Sequence, residues 1–302
     1  MMHLIFLWVI LALLWSGSYA AVKIGLDDFG PFTLVSERLL IGAGLLYLIL
    51  CLRSGHLPLS GRALIDYAVP AIFGNLVPFL LIGFGEIHVD SGLAALLMGI
   101  APVATVFLAP LLIPDEHLTP RSILGIGFGI GGLLVLVGAT ALSGLGHHVT
   151  GQLAILGAAL CYAETTLYVR RWITLPALQM ATGSLVVGAI PATVGAFMFE
   201  HPFSVVSADM APILAILYLG VCSTAIATLI YFYLVPRLGA GRMQQINFMV
   251  PAVGTLFGLA LLGERLEAKT LVALSLITIA VYLVESARRH IPAASPNIGE
   301  TS

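Results

Sequence analysis

Residues 90–118 read DSGLAALLMGIAPVATVFLAPLLIPDEHL, and residues 239–266 read GAGRMQQINFMVPAVGTLFGLALLGERL. Each opens on small residues, runs through an apolar stretch with a proline near its middle (Pro102, Pro251), and closes on an acidic turn. Those turns are Asp115-Glu116-His117-Leu118 and Gly263-Glu264-Arg265-Leu266. Pro102 stands 14 residues before Glu116, and Pro251 stands 13 before Glu264. Residues 91–113 carry no charge; as a helix they extend about 34 Å, enough to cross a hydrocarbon core about 30 Å thick. The pair therefore predicts two copies of a membrane-spanning unit.

Working outward, apolar runs of similar length recur along the whole chain. Helices are predicted over 4–22, 32–52, 64–85, 91–113, 122–142, 150–170, 176–199, 211–234, 240–262 and 268–285. With 59% hydrophobic and 9% charged residues and a mean hydropathy of +1.05, the chain cannot supply a water-soluble surface; a soluble domain carries roughly 25% charged residues. A β-barrel would need apolar and polar residues to alternate, and the runs do not. The expected fold is all-α and polytopic, about ten transmembrane helices arranged as two inverted five-helix repeats. Residues 1–146 form the first repeat, 147–286 the second, and 287–302 a disordered cytoplasmic tail. Five is odd, so the second copy enters the bilayer upside down, an arrangement associated with secondary transporters.

The start of the chain carries an ambiguity. Residues 4–14 followed by Ser18-Tyr19-Ala20-Ala21 resemble a signal peptide, but no Lys or Arg precedes Leu4. With the N-terminus inside, nine arginines (Arg53, Arg62, Arg121, Arg170, Arg171, Arg237, Arg242, Arg288, Arg289) face the cytoplasm. Lys23, Arg265 and Lys269 face out. The positive-inside bias thus favours an uncleaved first helix and two cytoplasmic termini, and the expected location is a bacterial inner membrane. Eight acids, from Asp27 to Glu267, lie on the outer side and read as a solvated rim. The histidines lie in loops or at termini without H-x-x-x-H spacing, and Cys51, Cys161 and Cys222 show no C-x-x-C spacing. No metal, cofactor or disulfide framework is expected. A net charge of −2 without a long basic run gives no basis for nucleic-acid binding.

The duplicated proline, the G-E-x-L turn, Arg38 near the start of the second helix and Trp15-Ser16-Gly17-Ser18 in the first together resemble the EamA-type transporters of the drug/metabolite transporter superfamily. That resemblance spans nearly the whole chain. It implies a ten-helix basket with cytoplasmic termini and export or exchange of small metabolites such as amino acids, with no particular substrate specified. Two departures stand out: Asp115 replaces the glycine of the first turn, and Glu164 occupies helix 6 where an apolar residue is usual.

Glu164 lies about 14 residues, roughly 21 Å, into its helix. A carboxylate at that depth is expected to be protonated or paired across helices, and intramembrane acids often mark ion paths. Proton coupling or recognition of a cationic substrate group accounts for it, or else a structural hydrogen bond or reach to the cytoplasmic boundary near Arg170. Arg38, about 9 Å into helix 2, is shallow enough to snorkel; it either holds a substrate carboxylate or makes a structural pair. Gln244, Gln245 and Asn247 make the second copy polar where Ala95, Leu96 and Met98 make the first apolar. The amides suit a zwitterionic or hydroxylated ligand, or interhelical packing. Tyr162, aligned with Trp15 in the repeat, joins Trp15, Asn75 and Tyr231 as a cavity-lining or interface residue. Pro78, Pro102 and Pro251 are expected to interrupt their helices. Gly125, Gly127, Gly129 and Gly131 are expected to pack.

Two function classes remain open, beside a purely structural membrane subunit, against which Glu164 and the polar residues of helix 9 argue. The first is a secondary transporter with a small-molecule substrate and possible proton coupling; no P-loop is present for ATP hydrolysis. The second is an intramembrane enzyme on a lipid or polyprenyl substrate, for which the acidic turns at Asp115-Glu116 and Glu264 are candidates, although the topology sets them on opposite sides of the bilayer.

Overall fold

The computed structural model describes residues 2–112, 118–141, 147–172, 175–200, 209–231, 233–234, 237, 246–265 and 268–288. Among these, every regular element is helical. The elements are α1 (Met2–Gly25), α2 (Pro31–Leu52), α3 (Gly61–Val69), α4 (Val77–His88), α5 (Ser91–Met98), α6 (Ala101–Leu112), α7 (Pro120–Ala141), α8 (His147–Trp172), α9 (Ala177–Phe199), α10 (Met210–Leu217), α11 (Ile246–Leu262) and α12 (Ala268–Arg288). Two π-helical segments, Pro70–Leu76 and Tyr218–Ile226, join α3 to α4 and continue α10.

Seven stretches are long and apolar enough to cross a bilayer: Met2–Gly25, Pro31–Leu52, Gly61–His88, Ser91–Leu111, His148–Val169, Ala177–Phe199 and Met210–Tyr231. Pro120–Val135, Met249–Leu262 and Ala268–Val284 are shorter apolar helices among the described residues. The chain is a multi-pass membrane protein. Asp115, Glu116, Gln244, Gln245 and the tail from residue 289 lie outside the described residues, as does the side chain of Asn247.

Lipid is as apolar as leucine, so burial of apolar surface does little to associate these helices; close backbone approach does more. The main pairings are α7 with α12, α2 with α9, α4 with α8, and α11 with both α1 and α5. Small residues sit where they meet. A Cβ at Gly125 would lie 2.9 Å from the Ala280 carbonyl, and one at Gly151 would lie 2.8 Å from the Gly85 carbonyl. Gly129 packs on Ile100 and Val103, whereas Gly127 and Gly131 face open space, so only half of the glycine run serves the packing expected of it. The outer surface is apolar, with Leu48, Phe197, Met198 and Leu214 all more than half exposed. Hydroxyls on that surface bond to their own helix: Thr166 donates to the Tyr162 carbonyl (2.7 Å) and Ser275 to the Leu271 carbonyl (2.9 Å).

The three prolines act differently. Pro78 occupies the first turn of α4, directly after a π segment. Pro102 does not interrupt a continuous helix: the span breaks at Gly99 and Ile100, and Pro102 stands in the first turn of α6, where its missing N–H costs little. Pro251 does lie inside α11. The two irregularities meet, since a Cβ on Gly99 would come within 2.9 Å of the Pro251 ring.

Candidate functional site

At one end of the bundle α1, α4, α9 and α11 finish while α2 and α5 begin. Helix starts leave amides unpaired and helix ends leave carbonyls unpaired, and lipid supplies no partner for either. Here charged side chains from neighbouring helices supply them. Glu200, just after α9, accepts from Phe32 N (3.0 Å), Thr33 N (2.8 Å) and Thr33 Oγ1 (2.7 Å), capping α2. Glu264, just after α11, accepts from Ser91 N (2.7 Å), Ser91 Oγ (2.7 Å) and Gly92 N (2.9 Å), capping α5. The chain returns toward α5 through Gly263, whose φ of +65° lies in the left-handed region suited to glycine. A side chain at Gly258 would occupy the space of the Glu264 carboxylate. Lys23, in the last turn of α1, donates to the carbonyls of Glu86 and Val89, the latter at 3.0 Å. The cation therefore closes the α4 C-terminus while Glu264 closes the α5 N-terminus, each matching the helix dipole it faces.

Deeper in the bundle the charges are arranged otherwise. Arg38 of α2 is buried (6% exposed). Its Nε donates to Thr224 Oγ1 at 2.7 Å and its Nη2 to Ser223 Oγ at 3.3 Å, both on the π segment Tyr218–Ile226. The guanidinium lies over the Phe79 ring, 3.7 Å from its centroid. Tyr19, Tyr162 and Tyr218 are within its electrostatic reach. Arg38 thus does not snorkel; neutral hydroxyls and an aromatic face hold it, leaving further N–H donors on the guanidinium. The wider π turn brings two consecutive hydroxyl residues to face one side chain; π segments frequently mark functional positions.

Glu86, on α4 one residue before Ile87, is fully buried, and neither carboxylate oxygen has a hydrogen-bond partner. It lies within the field of Lys23, Arg38 and Glu264. A buried charge without hydrogen bonds is costly, and such a group in a native structure calls for a role.

The structure brings Arg38 and Tyr162 together and leaves the other candidates elsewhere. Glu164 is exposed on α8, along the stripe of Leu153 and Leu160, each more than half exposed. It is neither buried nor paired as expected, because position along a helix sets depth but not facing. Asn75 donates to the Pro70 carbonyl at 3.1 Å, a structural bond inside its own π segment. Trp15 packs on Tyr231 with ring centroids 5.7 Å apart, in a cluster separate from Arg38. Tyr19, Lys23, Glu86, Ser223 and Thr224 were not singled out by sequence reasoning. The available signal was a charged residue within an otherwise apolar run, but Lys23 and Glu86 each sit so near a predicted helix end that they read as rim.

Among known proteins, the chain is 28% identical over 290 residues to "Uncharacterized inner membrane transporter YedA" of Escherichia coli (strain K12), covering 94% of this chain and 90% of that one. It is 28% identical over 266 residues to "Probable terminal-alkyne amino-acid exporter" of Streptantibioticus cattleyicolor, covering 85% and 84% respectively. A crystal structure of a protein 20% identical superposes with a TM-score of 0.67 over 95% of this chain and 98% of the other, a likeness of fold. Residues 3–138 and 149–286 both match the EamA-like transporter family, and the chain belongs to that family.

Proposed function

We propose that this protein is a secondary transporter that exports or exchanges small zwitterionic metabolites such as amino acids across the inner membrane. Arg38 is the observation that carries the reading: a buried guanidinium held by two hydroxyls and an aromatic ring is a preorganised receptor for a carboxylate. The tyrosines around it offer hydroxyls and apolar faces for the rest of a small ligand, and Glu86 is the acid nearest to hand for an ammonium group. The name of the terminal-alkyne amino-acid relative supports the substrate class. Under this reading residues 1–146 and 147–286 are inverted repeats, the termini are cytoplasmic, and the end sealed by Lys23, Glu200 and Glu264 faces outward. The enzyme reading has no observation in its favour, since the Glu264 carboxylate is engaged in capping α5.

The test is counterflow in vesicles containing purified protein, loaded with unlabelled amino acids and given a radiolabelled mixture outside. Wild-type protein is expected to take up label transiently, and Arg38→Ala to abolish the uptake. Absence of counterflow with amino acids, polyamines and small organic acids alike would sink the transporter reading.

A further inference from the structure

We infer that Glu86 is the coupling carboxyl of the transporter, a single site for which a proton and the substrate ammonium compete, so that one proton is exchanged for one substrate molecule. The inference rests on the transporter reading given above and adds to it the coupling ion and the residue that carries it.

Three observations converge. Glu86 is fully buried, and both oxygens lack any hydrogen-bond partner. A structural carboxylate looks different in this same molecule: Glu264 and Glu200 each accept three hydrogen bonds from a helix N-terminus. Finally, Glu86 lies between the two functional regions. Its own carbonyl accepts from Lys23 in the outer seal, while its carboxylate lies in the field of Arg38. The charged and titratable groups facing it are Tyr19 and Lys23 from α1, Arg38 from α2 and Glu264 beyond α11. Neither α5 nor the Pro70–Leu76 segment contributes one.

The exchange follows from chemistry. A zwitterion whose carboxylate sits on Arg38 brings its ammonium toward the nearest acid, and that interaction requires Glu86 ionised. When the ammonium leaves, the carboxylate is left without a hydrogen-bonding partner in a fully buried site and binds a proton instead; when substrate returns, the proton is released. Glu86 then alternates between an ammonium-paired carboxylate and a neutral carboxyl. If a bare carboxylate does not cross, substrate moving one way is matched by a proton moving the other.

The experiment uses the full-length protein in vesicles with pyranine trapped inside, reading proton flux beside radiolabelled amino-acid flux. Wild type is expected to show substrate-dependent proton movement in the opposite direction. A one-unit pH gradient should sustain about a tenfold accumulation. Glu86→Gln is expected to retain counterflow at a KM raised about tenfold, to lose its pH dependence, and to show neither proton flux nor accumulation. Should that variant fail to insert, Glu86→Asp is expected to keep coupling with a displaced pH profile. Net wild-type substrate flux without proton flux, proton flux surviving in Glu86→Gln, or a Glu86→Asp profile identical to wild type each overturns the assignment while leaving transport intact. Absence of wild-type counterflow instead overturns the transport reading on which it rests.

Discussion

The capped end of the bundle and its interior use charge in opposite ways. At the end, Lys23, Glu200 and Glu264 direct their charged groups at unpaired backbone amides and carbonyls, so little of their charge remains for a ligand. In the interior, Arg38 is held by neutral groups and the Glu86 carboxylate by no hydrogen bond. A satisfied charge fixes structure, whereas an unsatisfied one is held ready for something that comes and goes. The two carboxylates Glu264 and Glu86 make the contrast testable, because removing each charge should act on a different property of the protein.

The largest effect is expected at Arg38. Arg38→Ala should lower counterflow at least about a hundredfold, since it removes a buried charge and its directed donors. Thermal unfolding in detergent separates that loss from misfolding. Next, Glu264→Ala should destabilise by about 3 kcal/mol, leaving Ser91 and Gly92 amides unpaired at a buried helix start; faster hydrogen exchange at those two amides is the direct check. Glu200→Ala should act the same way on α2 but more weakly, by about 2 kcal/mol. Glu86→Gln should change stability by under about 1 kcal/mol, because no hydrogen bond is lost. A melting temperature falling as far as for Glu264→Ala would collapse the contrast. The smallest effect is expected at Glu164: Glu164→Gln should leave stability and the pH profile of transport unchanged, and a shifted profile would return the coupling role to α8.

Much of the fold was legible because a bilayer imposes a length on apolar runs, and runs of that length are hard to mistake. Helix interruptions were less legible. Pro102 signalled a break that actually falls at Gly99 and Ile100, and nothing in the Pro70–Leu76 or Tyr218–Ile226 sequences announced a π segment. Of the site, Arg38 was visible as an arginine in an apolar helix. Its partners were not, because Ser223 and Thr224 lie 185 and 186 residues away along the chain. Glu164 illustrates the opposite error. In water, an amphipathic period reveals which face is buried; in lipid both faces are apolar, so the sequence gives depth without direction. Glu86, one residue beyond the predicted end of its helix, reads as one of the rim acids, although it is fully buried.

The contact of Gly99 with the Pro251 ring has a mechanical consequence. It places the break between α5 and α6 and the proline of α11 at one level, so the helical ladders that carry Gly92 and Glu264 are both interrupted at the same depth. From Gly99 back to Gly92 the lever is about 10 Å long by helical rise. A bend of about 10° at its base would carry Gly92 nearly 2 Å, enough to part it from a carboxylate that now stands 2.9 Å away. A rotation of that size at the break would therefore uncouple the α5 cap without unwinding a helix or sliding whole helices past one another.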